Sequence, residues 1–169
     1  MEVRQVESAK FLGIYIDANL HWKQHVRHIC NKISKTTGLL CNARHYVSLG
    51  ILGSLYHSLV YPYLYYGNIC WGSTYSTRLD SIRKIQKKII RLIMFAEFKE
   101  HTTPLFIRLS MLQLDDINLQ VTALFMFRFF NNMLPDSFND YFMLNKELHH
   151  YNTRFSACVH KNYARTNKL

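Results

Sequence analysis

From Val47 to Thr77 the chain carries no Lys, Arg, Asp or Glu. No other feature limits the fold so strongly, because a run this apolar has to be covered by protein or by lipid. Ile51, Leu52, Leu55, Tyr56, Leu59 and Val60 recur at helical spacing and give a wide apolar face. Ser48 stands where a helix N-cap would, and Pro62, lacking an N–H, is expected to kink or end the helix near Tyr61. Gly67 and Gly72 punctuate the second half of the run. A bilayer needs about 20 such residues. Ser54, His57, Ser58, Asn68 and the tyrosines would then lie in lipid without partners, each at a cost of several kcal/mol. The expectation is therefore a central hub helix buried by its neighbours, with a membrane-associated helix as the alternative.

The remainder of the chain has to supply the cover. Its 169 residues suit one domain, and a hydrophobic content of 49% describes a chain that folds. Net charge is +10, which points to a polyanionic partner, nucleic acid before a membrane surface. The first residues, Met1-Glu2-Val3-Arg4, show no secretory signal, so an intracellular location is expected, with the nucleus as one possibility. Cys30, Cys41, Cys70 and Cys158 form no paired spacing and are expected as free thiols, holding neither disulfide nor zinc.

Phe11 to Asp17 alternates as a strand with no obvious partner, as if the rest of its sheet were missing. A helix is expected over about 22–42, with Trp22, Val26, Ile29, Ile33 and Leu40 as its apolar stripe and His21, His25, His28 and Lys32 along one solvated flank. After the polar turn at 72–77, with Thr77 as cap, comes the helix that bears most on function. Leu79, Ile82, Ile85, Ile89, Ile90 and Ile93 make one face, and Arg83, Lys84, Lys87, Lys88 and Arg91 make the other. Charge runs are commonly just solvated faces. This one has a single acid nearby, Asp80, so its self-repulsion calls for counter-charge from outside the fold. Gln86 falls within the apolar face and needs either a buried hydrogen bond or a neighbouring element.

Thr103 and Pro104 are expected to start a short helix to about Met111. Asp115 or Asp116 starts another, burying Leu119, Thr122, Ala123, Met126, Phe129 and Phe130, with Arg128 snorkelling or paired. Residues 136–142 read as a short turn of helix, and 149–169 as a basic, loosely ordered tail. No phosphate-loop, dinucleotide, metalloprotease or nucleophile-elbow motif occurs, and Asp115-Asp116 reads as a cap and not as a two-metal site. No catalytic residue, metal or cofactor is assigned to this chain.

Several blocks, taken in order, resemble the reverse transcriptases of non-LTR (LINE-type, jockey-like) retrotransposons. They are Lys10-Phe11-Leu12-Gly13, Tyr61-Pro62-Tyr63-Leu64 with Tyr66-Gly67 and Trp71-Gly72, Ile85-Gln86-Lys87-Lys88-Ile89-Ile90-Arg91, His101-Thr102-Thr103-Pro104-Leu105-Phe106, Leu134-Pro135, and Tyr151-Asn152-Thr153-Arg154. The resemblance implies the end of a polymerase palm, its thumb and a region after the thumb. It implies a mainly α, thumb-like bundle (18–148) behind a palm-strand remnant (1–17) and ahead of the tail (149–169). It places Leu12 and Gly13 near the primer end and the helices after them along an RNA template–DNA primer duplex, with no small-molecule substrate. The Mg²⁺-holding aspartates of that family lie in an [FY]-A-D-D turn that this sequence lacks, so the expected role is binding without catalysis. The alternatives are a structural remnant that binds nothing and the membrane-associated helix.

Overall fold

The computed structural model describes residues 6–148, 154–156 and 158–160. The chain is mainly helical, as expected, and divides into two compact units, Met1–Val121 and Thr122–Leu169. That division falls inside the expected 18–148 segment. The first unit opens with strands β1 (Ser8–Phe11) and β2 (Ile14–Asp17), paired antiparallel with Phe11 opposite Ile14. The expectation of one strand without a partner is corrected: the partner is the segment just upstream, and the supposed strand contains its own turn. Leu12 (φ 45°) and Gly13 (φ 85°) form that two-residue turn, both with the positive φ that suits the right-handed twist of a hairpin.

Helices α1 (Lys23–Ala43) and α5 (Ser76–Ile93) make the most extensive helix–helix contact of the unit. Around them lie α2 (Leu49–Leu59), α3 (Tyr61–Tyr65), α4 (Asn68–Trp71), α6 (Thr102–Arg108) and the first turns of α7 (Leu114–Phe130). The core is built from Ile29, Ile33 and Leu40 of α1, Leu52 and Tyr56 of α2, Trp71 of α4 and the isoleucine face of α5. Each such side chain contributes about 1.5–3 kcal/mol on burial. The hub is therefore the α1–α5 pair and not the charge-free helix. Of α2's apolar residues only Leu52 and Tyr56 are buried, while Leu49 and Ile51 stay exposed. The charge-free run breaks into three helices because Pro62 enters the first turn of α3 and Gly67 adopts φ 61° before α4. No helix among the described residues is long and apolar enough to cross a membrane.

Gly72, at the end of α4, is buried against two asparagines. A Cβ there would lie 2.7 Å from both the Asn118 Oδ1 and the Asn68 carbonyl, and Asn118 donates to the Gly72 carbonyl at 3.1 Å. The glycine is required by close approach and not by an unusual φ.

Helix ends depart from the sequence reading in small ways. Tyr75, not Thr77, precedes α5, and His101, not Thr103, precedes α6, which stops at Arg108. Asp116 does serve the start of α7, accepting the Gln113 N–H at 3.2 Å in the manner of half a capping box. On α7 the buried face is corrected. Leu114 and Ile117 are buried and Val121 half-buried, whereas Leu119 is 70% exposed and Thr122, Ala123, Arg128 and Phe130 also face solvent. Apolar residues surround this helix on all sides, so periodicity selects no face. In the second unit, Phe125 and Phe129 of α7 meet Phe142 at ring-centroid distances of 6.1 and 4.9 Å, and a 3-10 turn at Asp136–Tyr141 brings Phe138 to 5.7 Å from Phe125. Most of the predicted tail lies outside the described residues.

His25 is only 3% exposed, which corrects its assignment to a solvated flank. Its Nδ1 accepts the Tyr15 N–H at 3.4 Å, its ring meets Trp71 edge-on, and its Nε2 has no partner among the described residues. Burial, with help from nearby His28, lowers its pKa from 6.5 to about 4. The folded chain therefore binds this proton less readily than the unfolded chain does. The stabilisation from the neutral ring is complete above pH 6.5 and is lost as pH falls toward 4. Urea midpoints of the wild-type chain are expected to fall steeply over that window. His25→Asn, which keeps an acceptor and has nothing to titrate, is expected to lack that component.

Candidate nucleic-acid interface

The basic face of α5 arises from its sequence. With isoleucines at positions 82, 89, 90 and 93 buried against α1, the cations between them must turn outward. Lys84, Lys87 and Lys88 do so and are exposed, with no ion pair among the described residues. Arg83 behaves differently. Its guanidinium contacts Asp80 at 2.8 Å and Asp115 at 2.6 Å, and donates to the Ser76 carbonyl at 2.9 Å. The bond to Asp115 is the larger cause of a pKa raised above even the ordinary arginine value, with Asp80 adding to it. Arg83 thus ties the start of α5 to the start of α7, and its internal pairing corrects the view of α5 as a helix without ion pairs.

Arg91 is intermediate. Its Nε donates to the Glu100 carbonyl at 2.9 Å, which fixes the loop after α5. Arg91 nevertheless lines an open groove of about 590 Å³ together with Lys84, Lys87, Lys88, Ala96 and Phe98. Four of the five cations named from sequence therefore meet at one groove, and Arg83 does not. Phe98, missed in the sequence, is 86% exposed. Its only signal was an aromatic residue set in the charged string Glu97-Phe98-Lys99-Glu100.

The Leu12-Gly13 turn is held from the helical side. Tyr66 donates its hydroxyl to the Leu12 carbonyl at 2.7 Å, and the Leu12 side chain is left 73% exposed. A bulky residue held at positive φ and facing solvent carries a cost of roughly 1–2 kcal/mol, a pattern that clusters at functional sites. Beside the turn, Lys10, Gly13, His28, Lys32, Tyr63 and Tyr66 line a smaller cleft of about 280 Å³. Burial and the nearby Lys32 and Lys10 lower the His28 pKa, so the cleft is already rich in positive charge. Among the described residues no three His, Cys, Asp or Glu side chains are placed to hold a metal ion.

Comparison with known proteins supplies the context for these surfaces. The RNA-directed DNA polymerase of the mobile element jockey from Drosophila melanogaster is 28% identical over 139 residues, 80% of this chain. The probable RNA-directed DNA polymerase of the transposon X-element, from the same fly, is 31% identical over 121 residues, or 69%. The chain is related to non-LTR retrotransposon polymerases. The jockey polymerase of Drosophila funebris is also similar, at 31% over 97 residues. These matches span only 15%, 13% and 10% of the respective polymerases, so the chain corresponds to a small part of a retrotransposon polymerase. No protein-family model and no solved structure matches it.

Proposed function

We propose that this chain is a nucleic-acid-holding segment of a non-LTR retrotransposon polymerase. It would grip an RNA template–DNA primer duplex by its phosphates and carry none of the aspartates that catalyse synthesis. The observation that supports this reading most is the exposure of Lys84, Lys87 and Lys88 on one face of α5 without an ion pair among the described residues. A merely soluble helix would intersperse acids there. The relatives are polymerases that copy RNA, which agrees with such a partner. Lysine contacts to backbone oxygens position a duplex without reading its bases. The exposed Leu12-Gly13 turn, on this reading, lies close to the primer end. Any Mg²⁺ would be held by parts of a polymerase outside this chain, and no small-molecule substrate is required.

Salt dependence tests the reading. With Lys84, Lys87, Lys88 and Arg91 each neutralising one phosphate, log K for a hybrid duplex is expected to fall against log[salt] with a slope of about −3 to −4. Arg83→Met is expected to leave that slope unchanged and to lower stability by about 1–2 kcal/mol, because Arg83 is committed to Asp80 and Asp115. A flat salt response in fluorescence anisotropy would defeat the proposal, and so would primer extension on an RNA template by the purified chain.

A further inference from the structure

The loop after α5 presents Phe98 in a way that backbone gripping alone does not explain. Two exposed aromatics lie close together here and have opposite surroundings. Phe95 is covered by the Arg44 guanidinium, 5.0 Å from its ring centroid, and by His45 at 5.9 Å. Phe98, three residues on, has no aromatic or cationic partner among the described residues and is 86% exposed. The loop that carries it is nonetheless built. Ala96 N–H donates to the Arg91 carbonyl at 2.9 Å, Arg91 Nε donates to the Glu100 carbonyl at 2.9 Å, and Glu100 N–H donates to the Glu97 carbonyl at 3.1 Å. The Glu100 carboxylate accepts the Glu97 N–H at 3.3 Å and so is turned into the loop's own backbone. The groove under Phe98 is lined by Lys84, Lys87, Lys88 and Arg91, with no carboxylate in its wall. It combines an open aromatic face, a volume of about 590 Å³ and four cations on successive turns of one helix.

We propose that this groove takes an unpaired nucleotide at the end of the duplex, with its base stacked on Phe98 while Lys84, Lys87 and Lys88 hold the adjoining duplex phosphates. An aromatic face beside a cationic track is the arrangement that holds single strands, since every base offers a π-face and none needs to be read. The inference rests on the nucleic-acid reading above and narrows it. The duplex would be gripped next to a single-stranded extension, and Phe98 would distinguish the two. Arg91 is a positioning residue for the loop as well as part of the wall.

The test uses the full chain and three labelled oligonucleotides at one salt concentration: a blunt hybrid duplex, the same duplex with a short single-stranded extension containing 2-aminopurine, and the single strand alone. The extended duplex is expected to bind roughly tenfold more tightly than the blunt one, the gain of one stacked base. Its 2-aminopurine emission is expected to be quenched. Phe98→Ala should remove both the gain and the quenching while leaving blunt-duplex affinity and its salt slope unchanged. Phe98→Trp should restore the gain. Phe98 is exposed, so neither variant is expected to disturb folding. Equal binding of blunt and extended duplexes, with Phe98→Ala silent, would overturn the stacking site and leave the phosphate grip standing. Absence of salt-dependent binding to all three would overturn both. Competition by an acidic peptide as effective as the single strand, without any change in 2-aminopurine emission, would show that the groove takes acidic peptide and would also overturn the proposal.

Discussion

Replacing Gln86 with leucine is expected to destabilise the chain by about 3–5 kcal/mol, although it puts an apolar side chain into an apolar core. Gln86 is 2% exposed and joins three elements. Its Nε2 donates to the Tyr56 hydroxyl of α2 and to the Leu112 carbonyl, both at 2.9 Å, and its Oε1 accepts the Leu114 N–H at 3.0 Å. Leucine would leave a buried N–H, a carbonyl and a phenol oxygen without this partner. Each stranded group costs about 1–3 kcal/mol, whereas the added apolar burial returns less than that sum. Burial also pushes the Tyr56 phenol up to about pKa 12, so the hydroxyl stays neutral and the glutamine meets no charge. Urea unfolding of the wild-type chain, Gln86→Leu and Tyr56→Phe decides the matter. Tyr56→Phe removes one bond of the three and is expected to cost about 1 kcal/mol. A Gln86→Leu loss below about 1 kcal/mol would mean that the network is dispensable.

The second large effect is on binding. Changing Lys84, Lys87 and Lys88 together to alanine is expected to weaken hybrid-duplex affinity on the order of 100-fold at about 0.15 M salt, since each lost phosphate contact removes roughly a sixfold factor there. The slope of log K against log[salt] should become shallower by about 2.7, and the two proteins should converge near 1 M salt. The fold should not suffer. All three lysines are exposed, alanine favours helix, and their mutual repulsion would be relieved. A variant that binds as tightly as wild type would place the interface on another surface, such as the cleft beside the Leu12-Gly13 turn.

The isoleucine face of α5 and the stripe on α1 were legible from spacing alone, because both helices are clearly two-sided and bury one side against the other. Burial of Gln86 could be foreseen for the same reason, although its three partners come from segments far apart in the sequence. Other features were hidden by local ambiguity. Leu12 at a positive-φ turn position disguises a hairpin that Asn-Gly would have announced, so two short strands read as one. The apolar residues of α7 cover its whole circumference, and only packing in the fold selects the Leu114–Ile117 side. The longest charge-free run gave the wrong centre, since Pro62 and Gly67 break it into pieces too short to dominate a core. Arg83 read as one cation among five because its partner Asp115 lies 32 residues away. Relatedness to retrotransposon polymerases, in contrast, was carried by short blocks whose order mattered more than any single residue.

The hairpin is riveted to the helices at three points: Tyr66 to the Leu12 carbonyl, Tyr15 N–H to His25, and Ser8 Oγ to Gln24 Oε1 at 2.8 Å. Its tip and the lysine row of α5 therefore belong to one compact unit, so a ligand that reached both would meet them at a separation set by the packing of α1. Loosening the Ser8–Gln24 or Tyr15–His25 bond would let that separation vary while leaving the residues at either end unchanged.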